Sequence, residues 1–549
     1  MVPPWRYTRQ KVNKVCELSA LRLSVIASKE DLLGECIIED DEIIWKDNPF
    51  DTEVPEHGIE KKDILQKISV QGSPTLQNDI RKLCDEFADI FSEFVRAEPA
   101  RVPPMEIQVD EQKWFINKNR LPPRPQTEAR QRAIQTQVEL YSKLHVIEES
   151  NASAHSQVHL VPKSDPGEYR FCLDFVRLNE ATIGTENWPI PNIPLMIQRI
   201  GTKKPKVFGV MDMTAGYHQA PLSPTARLLT AFVCFAGLFH WLRVPMGLKN
   251  AAAYFQKVMA TIVLSGIIYV LCELYIDDVF VFGKDDAEFL SNLRQVFERM
   301  RKYNITLNPK KVCLGQDHIE FVGHVINAEG ITFSEEKKDK VLNFPLPNKV
   351  KQLMGFIGFV NYFRDHVSDM TTKLKALRML TLDKKKPVQW TPKLEEIFYS
   401  VRDAVANCTT LYFMDADAPV FVLTDASDYG IGAYIFQLVD GKEKPIIFMS
   451  KALTGAQLNW STIEKEAYAI FFTLKSYEHM LRDIKFTLRT DHKNLTYLNL
   501  EGSQKVRRWK IFIQDVTLRS LRGLWSKGRL RRCENSYLAL QAKTGKERE

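Results

Sequence analysis

Residues Glu273-Leu274-Tyr275-Ile276-Asp277-Asp278-Val279-Phe280-Val281-Phe282-Gly283 read ELYIDDVFVFG. Two adjacent acids stand between runs of β-forming apolar residues, where a sheet interior does not favour paired like charges. Taken alone, Asp277-Asp278 is explained by the preference of Asp for turns. A second strand-like run, VFGVMDM (207–213), also ends near an acid, Asp212, and leads into the compact polar loop Thr214 to Gln219. If both runs are central strands of one sheet, Asp212 and Asp277 converge at its edge. Uncompensated buried carboxylates are costly, and a divalent cation offsets that cost. Two cations about 3.5–4 Å apart stabilise the attacking and leaving oxygens of an in-line phosphoryl displacement. The ligands must be hard oxygens, so Asp suits the task where Cys or His does not.

The 549-residue chain has room for roughly three or four domains at about 100–200 residues each. Hydrophobic residues make up 44% and charged residues 26%, a globular composition that excludes collagen-like and disordered classes. The net charge of +7 suits a polyanionic partner without identifying one. Nine scattered cysteines show no zinc spacing and read as reduced intracellular thiols. The most apolar run, Ile262 to Ile276, is interrupted by Ser265 and Glu273 and is shorter than the roughly 20 residues of a membrane span. It reads as a buried helix passing into a strand, in a soluble chain with no membrane partner.

Residues 1–75 carry acidic patches such as EDLLGECIIEDDEII and no clear periodicity. Residues 76–155 read as a lead-in arm, whose RLPPRPQ segment feeds a helix from about Gln126 to Leu144. Over 156–331, strand-like runs (QVHLVPK, YRFCLDF, VFGVMDM, LLTAFVCF, LFHWLRVP, LYIDDVFVFG, IEFVGHVI) alternate with helical ones, predicting an α+β domain with a mainly antiparallel sheet. Phe289, Leu290, Leu293, Val296, Phe297 and Met300 share one helix face, and Asp285 with Glu288 has capping-box spacing. Residues 332–415 read as mainly helical. Residues 416–500 give a strand, hairpin, helix, strand order, a small α/β domain, and 501–549 a basic tail.

FGVMDMTAGYHQAPL (208–222), RVPMGLKNAAAYFQ (243–256) and YIDD (275–278) together resemble the palm of a reverse transcriptase of gypsy-type long-terminal-repeat retrotransposons, and the resemblance extends over roughly residues 80–500. It implies a right-hand polymerase with fingers and palm over 156–331 and thumb or connection over 332–415. Its metal carboxylates would be Asp212, Asp277 and Asp278, with Mg²⁺ as cofactor and Mn²⁺ as substitute. Its partners would be an RNA template, a DNA primer, dNTPs and an RNA–DNA hybrid. Lys163 and Arg170, in VPKSDPGEYRF, match residues that hold the nucleotide triphosphate. Tyr217, five positions after Asp212, matches an aromatic ring beneath the sugar. Phe321-Val322-Gly323-His324 resembles the primer grip, where Gly323 permits close approach of nucleic acid. Lys310 and Lys311 both occupy the region of a lysine that protonates pyrophosphate, and the choice between them stays open. Val176 departs from the Arg more usual there.

A second set of acids follows. Asp425 ends the strand VFVLTDAS, Asp491 ends KFTLRTD, and Glu466 falls on the apolar face of the helix between them, with Ile463, Ala467, Ile470 and Leu474. A charge on that face needs a partner. Glu464, at capping-box spacing from Ser461, is explained as a helix start. TDAS, EKEAYAI and TDHKNL resemble ribonuclease H motifs, implying that Asp425, Glu466 and Asp491 hold metal and cleave the RNA strand of a hybrid. The family's fourth acid, in a segment resembling ADALSR, has no counterpart after SQKVRRWKIFIQD, where the basic tail resembles out-of-frame coding. No DTG or DSG protease triad is present. A catalytically decayed or host-adopted nucleic-acid-binding protein is the competing reading.

Overall fold

The computed structural model describes residues 61–162, 169–383, 387–415, 417–482, 484–490 and 504–522, with side chains to residue 516 of the last segment, and two short strands, Ile38–Glu39 and Glu42–Ile43. The chain divides into two compact units, residues 1–328 and 329–549.

A five-stranded sheet organises the first unit. Its order is Cys272–Tyr275, Asp278–Gly283, Val207–Met213, Leu307–Gln316, Ser69–Val70. All neighbours are antiparallel except the last pair. Val279, Phe280, Val281, Phe208 and Met211 are fully buried, which is why these strands read as continuous apolar runs rather than alternating ones. The helix Asp286–Lys302 packs on the sheet through Phe289, Leu293, Val296, Phe297 and Met300. Its Asp285 cap accepts the Glu288 N–H at 2.8 Å, while Glu288 accepts the N–H of Lys284 at 2.9 Å. The expected box thus closes one residue further out.

A second sheet runs Ile147–Glu149, Gly237–Trp241, Phe232–Cys234, Ser156–Pro162, Tyr169–Asp174. The helix Glu128–Lys143 buries Ile134, Val138 and Tyr141.

Four local expectations change. LLTAFVCF is not one strand: Ser223 caps a helix over Pro224–Leu229, leaving Phe232–Cys234 as strand, because the Ser-Pro start signal governs its first half. The interior strand Leu307–Gln316 was hidden by Asn308, Pro309 and two lysines, and its proline lies where the pairing register shifts. The Ile262–Ile276 run opens inside a π-helical turn, Met259–Val263, and only Cys272–Tyr275 is strand. Ser69–Val70, in the stretch without periodicity, supplies the fifth strand of the first sheet. The hairpin His318–Phe321/His324–Asn327 turns at Val322 (φ 45°) and Gly323 (φ 81°), as a two-residue turn with two positive φ angles requires.

In the second unit, helices Glu335–Leu342, Val350–Asn361, Met370–Met379 and Pro392–Ala406 close on a core that includes Phe333, Phe356, Phe363 and Phe398. A four-stranded sheet follows, ordered Lys442–Ala452, Gly430–Val439, Val420–Ala426, Phe486–Arg489, with only the last pair parallel. The helix Thr462–Ser476 starts with the expected Ser461/Glu464 capping box. Gln504–Arg522, inside the stretch read as a tail, is a helix whose Val506, Trp509 and Val516 are buried. Trp509 meets Trp460, Tyr468 and Phe471 within 5.3–5.7 Å. Residues 523–549 lie outside the described residues. Among the described residues, no helix is long and apolar enough to cross a membrane.

Candidate active site

Tyr275 and Asp278 are cross-strand partners, so Ile276-Asp277 forms a two-residue turn, and Asp278 in turn faces Asp212 across the next pairing. Strand register therefore places the acids. Asp212, Asp277 and Asp278 each present a carboxylate oxygen within 4.8 Å of the others, and all three residues are partly buried. They are the one group of three or more acidic, His or Cys ligands so arranged among the described residues. An all-carboxylate donor set of this spacing fits a hard divalent cation.

The turn is held from several sides. Ile276 has φ 57°, an unfavourable conformation for a β-branched residue. Its N–H donates to Gln256 Oε1 at 2.7 Å, and Gln256 is fully buried. The Asp277 carbonyl accepts the Met213 N–H at 3.1 Å. Gly216, in the short helix Gly216–Gln219, lies so close that a Cβ there would stand 3.0 Å from Asp277 Cβ. Gln219, also buried, donates to the Thr214 and Thr306 carbonyls and accepts the Thr306 N–H. That amide ties the Asp212 loop to the start of the Leu307–Gln316 strand.

The two lysines left open by sequence have different surroundings. Lys310 Nζ is 2.7 Å from Glu93 Oε2, and Lys67 binds the same carboxylate. Burial disfavours the charge on Glu93, but the two lysine hydrogen bonds prevail and hold its carboxyl below the usual range. Lys311 Nζ instead lies 3.8 Å from Asp212 Oδ2. Glu273, just ahead of the turn, is almost wholly buried and takes a two-pronged bond from Arg199, at 2.9 and 2.8 Å. The guanidinium lies 4.8 Å from the Tyr269 ring centroid. Burial raises the Glu273 pKa despite the opposing pull of Arg199.

Tyr217 packs edge-on against Phe255, ring centroids 5.4 Å apart, and burial pushes its phenol pKa up. Gly323 sits in the hairpin turn described above. Arg170 lies in a strand, opposite Val161; its side chain, and the whole of Lys163, are outside the described residues.

In the second unit, Asp425 is exposed near the end of its strand. Glu466, only 3% exposed, accepts the Ala426 N–H at 3.1 Å. That bond brings the helix acid to the residue following Asp425. Asp491 lies outside the described residues. Gln256, Gly216, Gln219 and Arg199 were not singled out by sequence. Gln256 and Gly216 stand inside the quoted motifs, but their contacts join segments distant in the chain.

Residues 161–326 match the family described as "Reverse transcriptase (RNA-dependent DNA polymerase)", and residues 415–516 match "RNase H-like domain found in reverse transcriptase". The chain thus carries a reverse transcriptase domain and an RNase H-like domain. It is similar to the retrovirus-related Pol polyprotein from transposon 412 of Drosophila melanogaster, 29% identical over 84% of this chain and 37% of that protein. The Pol polyprotein from transposon opus of the same fly is 32% identical over 67% of this chain and 38% of its own length. The transposon Tf2-3 polyprotein of Schizosaccharomyces pombe is 29% identical over 83% and 34%. The chain spans little more than a third of these relatives. Among solved structures, foamy viral protease-reverse transcriptase in complex with RNA/DNA hybrid superposes with TM-score 0.67 at 21% identity, over 83% of this chain and 61% of that one. The dRH form with double-stranded DNA gives 0.67 at 20%, over 83% and 79%. The fold is a right-hand polymerase followed by an RNase H-like α/β domain.

Proposed function

We propose that this chain is the polymerase segment of a gypsy-type retrotransposon polyprotein. It extends a DNA primer with dNTPs on an RNA or DNA template, and its second unit cuts RNA in RNA–DNA hybrids. The observation carrying this reading is the register-locked triad Asp212, Asp277 and Asp278. Those residues would hold Mg²⁺, or Mn²⁺ in its place, which when bound supplies charge stabilisation to the attacking and leaving oxygens. The chain's own work is positioning. Lys311, beside Asp212, is the lysine suited to give a proton to departing pyrophosphate, since Lys310 is engaged by Glu93.

Tyr217 would underlie the sugar, Lys163 and Arg170 would face the triphosphate, and Gly323 would admit the primer backbone. The helix Val350–Asn361 carries Gly355 and Gly358 on its exposed side, where an added Cβ would meet nothing within 4 Å. Two helix-interior glycines forgo about 0.5–1 kcal/mol each, a sacrifice suited to close passage of a nucleic-acid strand. Asp425, Glu466 and Asp491 would serve the hybrid-cutting site, and the setting is intracellular.

Primer extension on poly(rA)/oligo(dT) tests the reading. Wild-type protein should extend with Mg²⁺ or Mn²⁺, and Asp277→Asn/Asp278→Asn should lose at least on the order of 10²-fold in rate. Equal extension by the two proteins would sink it.

A further inference from the structure

The geometry points to Gln256 as the positioning residue that latches the Asp277-bearing turn in its metal-ready shape; this rests on the polymerase reading above. Gln256 belongs to the helix Ala251–Val258, which passes directly into the π-helical turn Met259–Val263. From there its carboxamide reaches the tip of a hairpin about twenty residues later in the chain. Oε1 accepts the Ile276 N–H at 2.7 Å, and Nε2 approaches the Leu274 carbonyl at 3.4 Å. One side chain therefore engages the backbone on both sides of Tyr275.

The turn needs such a clasp. A two-residue hairpin turn of this kind calls for positive φ at its first central position, usually met by Gly, Asn or Asp. Here that position is Ile276, at φ 57°, and strain of this sort persists only where the surroundings over-determine it. The clasp is also dry: Gln256 has no solvent exposure and Ile276 only 6%, so losing the acceptor would leave a buried N–H unsatisfied. Asp277 is the next residue, and Gly216 closes against it from the other side. A turn that relaxes at Ile276 must carry the Asp277 carboxylate away from Asp212.

Gln256→Met, similar in length and without hydrogen-bonding groups, is the test variant. Amide hydrogen exchange read by mass spectrometry on the metal-free full chain should rise at 272–278 and stay unchanged over 286–302. Primer extension should fall on the order of tenfold in kcat with little change in dNTP KM, and adding Ile276→Gly, which removes the strain, should restore part of the loss. Unchanged exchange at the turn, or a rise spread equally over 286–302, overturns the latch. If Gln256→Met does not fold, Gln256→Asn carries the test: one methylene shorter, its carboxamide no longer reaches the Ile276 N–H, so exchange at 272–278 must rise while 286–302 stays unchanged, and unchanged exchange at the turn overturns the proposal. A wild type that cannot extend primers, yet shows the local exchange change, rejects the polymerase reading and leaves the latch standing.

Discussion

A Cβ at position 216 would stand 3.0 Å from Asp277 Cβ and 3.3 Å from the Phe255 ring, so at the scale of single residues the acid cluster depends on what is missing as much as on what is present. Helix propensity gives no reason for glycine here, since Ala is the better helix former. Gly216→Ala should therefore leave the thermal midpoint nearly unchanged while shifting the Asp277 carboxylate by a few tenths of an ångström. Primer extension should drop on the order of tenfold, and full activity in a folded Gly216→Ala would show that the close approach is immaterial. Asp212, Asp277 and Asp278 were legible as residues, because acids inside apolar runs contradict the local pattern. Gly216 and Gln256 were not, because a glycine in a stretch that reads as a loop and a glutamine after an alanine-rich run contradict nothing until the fold brings Asp277 and Ile276 against them.

At the scale of elements, the strand Cys272–Tyr275 lies at the sheet edge and is secured by the Glu273–Arg199 pair. Arg199→Met would leave an almost wholly buried carboxylate without its cation. Breaking a buried pair in this way costs about 3 kcal/mol, the lower end of the usual range because Arg199 is 40% exposed. The pH dependence has a definite sign. Burial raises the folded-state pKa of Glu273, and removing Arg199 raises it further. The folded variant then binds the proton more tightly than the unfolded chain, so its stability is greatest below the unfolded carboxyl pKa and falls as pH rises through the folded one. Urea unfolding of wild type and Arg199→Met at pH 4.5 and pH 8 should show a small difference at the lower pH and the full loss at the higher. A difference independent of pH would remove Glu273 as its source.

Over the whole molecule, the second unit extends further along the chain than its motifs do. Trp509 packs among Trp460, Tyr468 and Phe471, joining the helix Gln504–Arg522 to the helix that carries Glu466. Trp509→Ala should destabilise that unit by about 3–5 kcal/mol, visible in calorimetry as a lowered transition. Primer extension measured below that transition should persist, because the three acids proposed as the polymerase site all lie in the first unit. Simultaneous loss of both would mean that the units do not unfold separately.

The sequence by itself set the order of the acids along the chain and marked Asp212, Asp277 and Asp278 as a group, because YIDD and VFGVMDM place charge where apolar periodicity disfavours it. It also marked the starts of the helices Asp286–Lys302 and Thr462–Ser476, whose caps are local hydrogen bonds. Tertiary structure decided the rest. It revealed the strand Leu307–Gln316 behind a proline and two lysines, placed Ser69–Val70 at the far edge of the first sheet, and set Lys311 rather than Lys310 beside Asp212. Each is a pairing between segments far apart in the chain. Strand register and burial fix such pairings, and neither can be read from the segments taken one at a time.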